Sequence, residues 1–414
     1  MKKSLRRLTP FVLTLLVIEF LDELVYGTRE AAWPLIRDDL GLTYWQVGLL
    51  LGMPNVIASL IEPVIGILGD VWKRRALVLG GGIFFALAAL LTAVSGNFWV
   101  FMLASIIFAP ASGALVTLSQ AALMDDEPER HEQNMARWTF AGSIGVVAGP
   151  LALGAAVWIG IGWRGMYTLF GMLTFLVVAS AWRFRFPAGA RDPEGSAPPE
   201  GETSPLWFRA GLRSALAALR RREVLRWLTL LEFSDLMLDV LLGFLALYMV
   251  DVVHVSPAQA GIAVAVWTGF GLLGDFLLIP LLERVRGLAY LRVSVLVELL
   301  LYPLFLIVPS LWAKLAVLAL LGLFNSGWYA ILQGKLYSSM PGQSGTVMTV
   351  GNIFGLWASL IPVGLGALGE RWGLGTAMWA LLLGPIVLFI GLPRGGRMKN
   401  GGETVEAGGE HTPD

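Results

Sequence analysis

Runs of about 20 mostly apolar residues follow one another along most of this chain, and each is long enough to cross a bilayer as a helix. Reading these runs against Gly, Pro and charge breaks gives twelve spans, roughly 11–33, 44–70, 76–95, 98–124, 138–160, 165–187, 225–250, 257–282, 288–309, 311–334, 344–369 and 373–392. The composition agrees. Of 414 residues only 14% are charged and 56% are hydrophobic, with a mean hydropathy of +0.70; a soluble domain of this size carries about 25% charged residues. The expected class is an all-α membrane protein with twelve transmembrane helices. Trp residues fall near many span ends (Trp33, Trp45, Trp72, Trp99, Trp163, Trp227, Trp312, Trp372), as an interfacial belt requires.

Lys and Arg set the expected orientation. With both termini in the cytoplasm, the inner segments hold 25 of the 30 basic residues, and the outer loops hold Arg37, Arg164, Lys314 and Arg371. MKKSLRRL reads as the cytoplasmic start of the first span, because the apolar run after it is broken by acids and lacks a small-residue cleavage site. A plasma (inner) membrane location follows as the expectation.

Several functions are disfavoured at once. Net charge is zero, which leaves no electrostatic footprint for nucleic acid. The absence of cysteine excludes disulfides and thiolate sites. His131, His254 and His411 fall in expected loops or the tail, with no His-x-x-x-His pair, so no metal site or metalloenzyme is expected. Acid pairs could form an aspartyl site within the membrane, but the internal repeat favours a device with two moving halves.

That repeat has an offset of 213 residues. Glu19-Phe20-x-Asp22 meets Glu232-Phe233-x-Asp235, Gln46-x-Gly48 meets Gln259-x-Gly261, and Asn55 meets Thr268. Further along, Glu62 meets Asp275, Asp70 and Lys73 meet Glu283 and Arg286, Gln120 meets Gln333, and Gly142 meets Gly355. The expected division is a six-helix bundle over 1–187, a cytoplasmic linker over 188–223, a second six-helix bundle over 224–393, and a disordered cytoplasmic tail over 394–414. The linker begins Pro- and Gly-rich and ends as LWFRAGLRSALAALRRREVLRW, whose basic and apolar faces suit an amphipathic helix on the inner membrane surface. Parallel halves of this kind hold a substrate site between them near the bilayer midplane.

The stretch GILGDVWKRR, Gly66 to Arg75, closes the second span. It resembles the G-x-x-x-D-x-x-G-R-[KR] loop motif of the major facilitator superfamily, with Lys73 in place of the second glycine. GSIGVVAGPLALG in span 5 is similar to the glycine/proline motif of antiporters in that superfamily at Gly145, Gly149 and Pro150, with Ala136 at the upstream glycine position. Span 4 lacks the arginine that many members carry there. The resemblance implies two pseudo-symmetric six-helix bundles, a secondary transporter that works by alternating access, and no cofactor other than a proton gradient. It also implies that the first and fourth helices of each half line a central cavity, and that the loop after span 2 helps hold the outward-open state through charge pairs. Gly66, Asp70, Arg74, Arg75, Asp125, Asp126, Glu283 and Arg286 are then expected to gate. Arg74 or Arg75 is expected to pair with Asp125 or Asp126. Ser338 stands where Asp125 stands in the first half, so that relay is expected to be one-sided. The plainer alternative is that Lys73 to Arg75 only follow the positive-inside rule. The span 5 glycines are expected to let backbones approach and form a tight seam between the halves.

The acids within the spans carry the functional reading. One such charge at the centre of a membrane helix costs about 2.5–3.5 kcal/mol on insertion scales, so acids there face protein or water. At about 100° per residue, Glu19, Asp22, Glu23, Tyr26, Arg29 and Glu30 share an arc of about 120° on span 1. Glu232, Asp235 and Asp239 share a narrower one on span 7, and Asn55 and Glu62 share a face of span 2. The expectation is an acidic cavity. Carboxylates crowded in a low dielectric cannot all stay charged, so one or more is expected to bind protons near neutral pH. Other roles stay open. Glu62 and Asp275 equally suit helix bracing, Arg29 suits a pair with Glu30 or Asp22, Glu23 suits a neighbouring helix, and Asp239 and Glu298 have a weaker claim than the rest. The expected function is proton-coupled export of an organic cationic or amphipathic small molecule by a monomer in the lipid bilayer. Transport of a divalent metal or a polyamine, or lipid flipping, are the alternatives.

Overall fold

Thr9 starts the first helix. Its hydroxyl accepts from Val12 N at 3.2 Å, and Pro10 supplies a pre-set first residue, so the helix has a capped start. This helix, α1 (Pro10–Leu40), runs through Pro34 and ends only at Gly41, whose φ of 60° places it in the left-handed region where its N–H reaches Arg37 O and Asp38 O. The sequence reading stopped the span at 33 because Pro34 and the charges at 37–39 look like a loop. The charges are instead satisfied on the helix. Arg37 pairs with Asp251, and Asp39 accepts from Trp163 and Arg164.

In this computed structural model residues 9–71, 74–126, 131–186, 219–340 and 344–393 are described. They form α2 (Tyr44–Val71), α3 (Arg74–Val94), α4 (Phe98–Asp126), α5 (His131–Trp158) and α6 (Gly162–Ala181) in the first half. The second half holds α7 (Arg222–Asp251), α8 (Pro257–Leu282), α9 (Gly287–Ile307), α10 (Leu311–Ser339), α11 in two pieces (Ser344–Ala358 and Ile361–Trp372) and α12 (Leu374–Gly391). Among the described residues eleven helices are long and apolar enough to cross a membrane; α1, the twelfth, carries more charge than the others. Most of the linker and the whole tail expected at 394–414 lie outside the described residues.

Within the first half α1 packs on α5, and α3 packs on α4 and α6; within the second, α10 packs on α8 and α9, and α9 on α12. The twelve helices form two six-helix bundles. Glycines set the closest seams. A side chain at Gly27 would strike the Val146 backbone, one at Gly145 the Phe20 and Leu24 backbone, and one at Gly149 the Thr28 and Leu24 backbone. So Gly145 and Gly149 join α5 to α1 of their own half, where the sequence reading expected a seam between halves. Next to them the Pro150 carbonyl faces Gly261 of α8, and that contact does cross between halves.

Besides α11, two helices break where hydropathy gives no warning. In α10, Ser326 leaves helical geometry and Gly327 takes φ 73° before the helix resumes at Trp328. In α7 the five residues Leu236–Val240 form a π turn between α-helical pieces. Such widened turns are frequent at functional sites. Lys314, read as an outer-loop charge, lies in the first turn of α10. It is buried there, with Nζ donating to Tyr248 Oη at 3.2 Å and to the Leu306 carbonyl at 3.3 Å.

Candidate functional site

The halves meet mainly at the face that carries the α1–α2 and α7–α8 turns. Gly48 and Gly52 of α2 approach the backbone of α11 at Pro362 and Ser359, and Gly366 of α11 approaches that of Tyr44. Polar contacts secure the same end. Arg37 Nη1 donates to Asp251 Oδ2 at 3.0 Å, the Tyr44 hydroxyl donates to the same oxygen at 2.9 Å, and Tyr44 N–H donates to Glu370 Oε2 at 2.9 Å.

Between the halves lies a cavity of about 720 Å³, lined from both bundles. That volume is in the range of small-molecule sites. Its charged lining is lopsided: Asp22, Glu23, Glu30, Glu62, Glu232, Asp235 and Asp239 against Arg29 alone. Arg29 is already paired, with Nη2 2.9 Å from Glu30 Oε1, while Trp33 Nε1 donates to the other oxygen of Glu30 at 3.0 Å. Glu30 is fully buried, so this pair and the indole are what make its charge tolerable there. The aromatic residues Tyr26, Phe101, Phe108 and Tyr167 complete the wall.

Three hydrogen bonds hold the acid-bearing helices. Ser112 of α4 donates to Asp22 Oδ1 at 2.7 Å. Tyr26 donates to Asp239 Oδ1 across the halves at 3.3 Å. Asn325, which stands in α10 where Ser112 stands in α4, donates to the Met237 carbonyl inside the π turn at 2.9 Å. Each half thus ties its fourth helix to its first at the same repeat position. Neither Ser112 nor Asn325 was singled out in the sequence, although two polar residues at one offset in apolar helices were a usable signal.

The expected site residues divide by position. Asp22, Glu23, Arg29, Asn55, Glu62, Glu232, Asp235 and Asp239 line the cavity. Glu19 does not. It is 7% exposed, and its carboxylate is seated against Gly142 of α5, which has no side chain to exclude it. Asp275 also lies off the cavity wall. It accepts from Gly327 N at 3.0 Å and so caps the second piece of α10. Of its two readings, geometry supplies the brace.

Of the expected gate, Arg74 is buried and its Nη1 lies 2.5 Å from Asp125 Oδ2. Arg75 points elsewhere: it donates to the Trp182 carbonyl, and its guanidinium stands over the Trp182 ring. Asp126 is exposed at the end of α4. The side chains of Gly66 and Asp70 lie outside the described residues, though α2 runs through both. Glu283 and Arg286 flank the short turn between α8 and α9.

The sequence matches the family described as Major Facilitator Superfamily over residues 15–363. The chain belongs to this superfamily, and it is a membrane transporter of that class. It is 24% identical over 389 residues to the uncharacterized MFS-type transporter YfnC of Bacillus subtilis (strain 168), covering 91% of each chain. It is 29% identical over 175 residues to a chloramphenicol resistance protein of Pseudomonas aeruginosa, covering 42% of each. Its fold is shared with a bacterial homolog of the human lysosomal transporter Spinster in an inward-facing, unoccupied conformation, with a TM-score of 0.74, 18% identity, and 92% and 95% of the two chains covered. It is shared as well with the nucleoside transporter NupG, with a TM-score of 0.75, 12% identity, and 92% and 98% covered.

Proposed function

We propose that this transporter exports an organic cationic or amphipathic compound in exchange for protons. The observation that carries the reading is the cavity lining: seven carboxylates and one guanidinium, the latter already bonded to Glu30. Such a wall attracts positive charge, and the aromatic residues beside it suit a cation with an apolar body. Protons and a cationic substrate then compete for the same oxygens, which is the basis of exchange. Similarity to a protein whose name denotes chloramphenicol resistance agrees with efflux. Among the described residues no three His, Asp or Glu side chains converge in a metal-ligand arrangement, which favours an organic cation over a divalent metal.

The Lys and Arg distribution supports cytoplasmic termini and a plasma-membrane location. In that orientation the closed face is the outer one, and the cavity opens toward the cytoplasm. The bundles divide at the 188–223 linker, and the working unit is a monomer. Asp22 and Asp235 carry protons or substrate, while Arg74 and Asp125 act in gating.

Reconstitution into vesicles with a trapped pH dye tests the reading. Hydrophobic organic cations should drive proton movement, and Asp22→Asn and Asp235→Asn should each abolish it. Cation-driven proton flux that survives both substitutions undiminished removes these acids from the mechanism.

A further inference from the structure

One acid stands apart from everything above. Glu298, in the middle of α9, is fully buried and does not line the cavity. Neither of its carboxyl oxygens has a hydrogen-bond partner among the described residues. A charged carboxylate buried without partners is among the most costly arrangements a protein can hold, whereas the neutral acid needs only an acceptor for its O–H.

The helix facing it offers one. Trp328 of α10 donates to Ser294 of α9 at 2.8 Å. Glu298 is one turn beyond Ser294, and Asn325 closes the first piece of α10, separated from Trp328 only by Ser326 and Gly327, so the antiparallel run of the two helices brings both to the same stretch of the seam. Asn325 is buried, its Nδ2 is committed to the Met237 carbonyl at 2.9 Å, and its Oδ1 is without a partner. An acceptor lacking a donor thus shares that stretch with an acid that has one to give when neutral. The other titratable groups on the elements packed against α9 do not supply a charge here. Lys314 is held by Tyr248 and the carbonyl groups that end α9, Lys335 lies near the far end of α10, Tyr329 and Tyr337 are exposed, and α12 bears none. On α9 itself Tyr290 donates to the Ser326 carbonyl and Tyr302 to the Met378 carbonyl.

We propose that Glu298 is a proton-binding site separate from the cavity, holding its proton as a carboxylic acid whose O–H is donated to Oδ1 of Asn325. The site reaches the cavity through one residue, because the same Asn325 holds the π turn of α7 between Asp235 and Asp239. If Glu298 loses its proton it can only accept, and the donor in that stretch of the seam is the Asn325 amide now bonded to Met237. Loss of that proton therefore loosens the π turn.

Infrared difference spectroscopy of the purified full chain at pH 8 tests this without a transport assay. Wild type minus Glu298→Gln should show one carboxylic acid C=O band, absent from the variant, and Asn325→Ser should shift that band. Loss of a carboxylate band instead, or superimposable spectra, overturns the proposal. Should Glu298→Gln fail to fold, Asn325→Ser decides alone, since an unshifted carboxylic acid region overturns the pairing.

Discussion

Tyr26 and Asp239, 213 residues apart, occupy equivalent positions in the two halves and bond to each other, with Tyr26 Oη donating to Asp239 Oδ1 at 3.3 Å. The repeat that builds the molecule thus meets itself at the cavity. A hydrogen bond to a charged or acidic partner contributes about 1–3 kcal/mol, and this long one belongs at the low end. Tyr26→Phe should loosen the halves. Spin labels at two introduced cysteines, one per half, should then report a broadened distance distribution. The chain has no native cysteine to interfere.

The pair Arg37–Asp251 latches the closed face, with side chains 29% and 21% exposed. A pair so placed contributes about 1 kcal/mol, or roughly a fivefold change in population. Arg37→Gln should raise the rate at which a thiol reagent modifies a cysteine placed on the cavity wall from that side, by about that factor. High salt should reduce the difference between variant and parent.

Asp275 caps the resumed helix at Gly327. Asp275→Ala should lower thermal stability by about 1 kcal/mol, as losing a helix cap does, while Asp275→Asn should recover most of it. Under the proposed exchange, proton coupling should be the same in both. A loss of coupling in Asp275→Asn that leaves stability intact would show the acid acting as more than a brace.

At Gly27 the next backbone leaves no room for a methyl group. Gly27→Ala should destabilise by about 1–3 kcal/mol through overpacking, whereas Gly80→Ala, which meets nothing, should be neutral or mildly stabilising. Thermal unfolding in one detergent compares the two.

The spans were legible because a bilayer admits few solutions: a hydropathic run of the right length with Gly, Pro or charge at its ends is enough, and α8 begins and ends where the sequence placed it. The cavity acids were legible for a related reason, since charge within such a run must find protein or water. What escaped depends on contacts between helices. Neither the break at Ser326–Gly327 nor the π turn beside Asp235 alters hydropathy, and each is held by a neighbour, the first by Asp275 and the second by Asn325. Glu19 is placed on the cavity by its arc and by the lining role that the resemblance implies for the first helix. Angle on a helix cannot say that α5 crosses there with a glycine at 142.

Backbone-to-backbone contact at Gly27, Gly145 and Gly149 makes α1 and α5 a single girder. Whatever tilts one tilts the other, so Asp22 and Glu23 cannot change their outlook while α5 stays still. A fluorophore hung on the outward-facing flank of α5, at Ile144, would therefore keep time for those acids from outside the cavity, without altering any group that a substrate or proton touches.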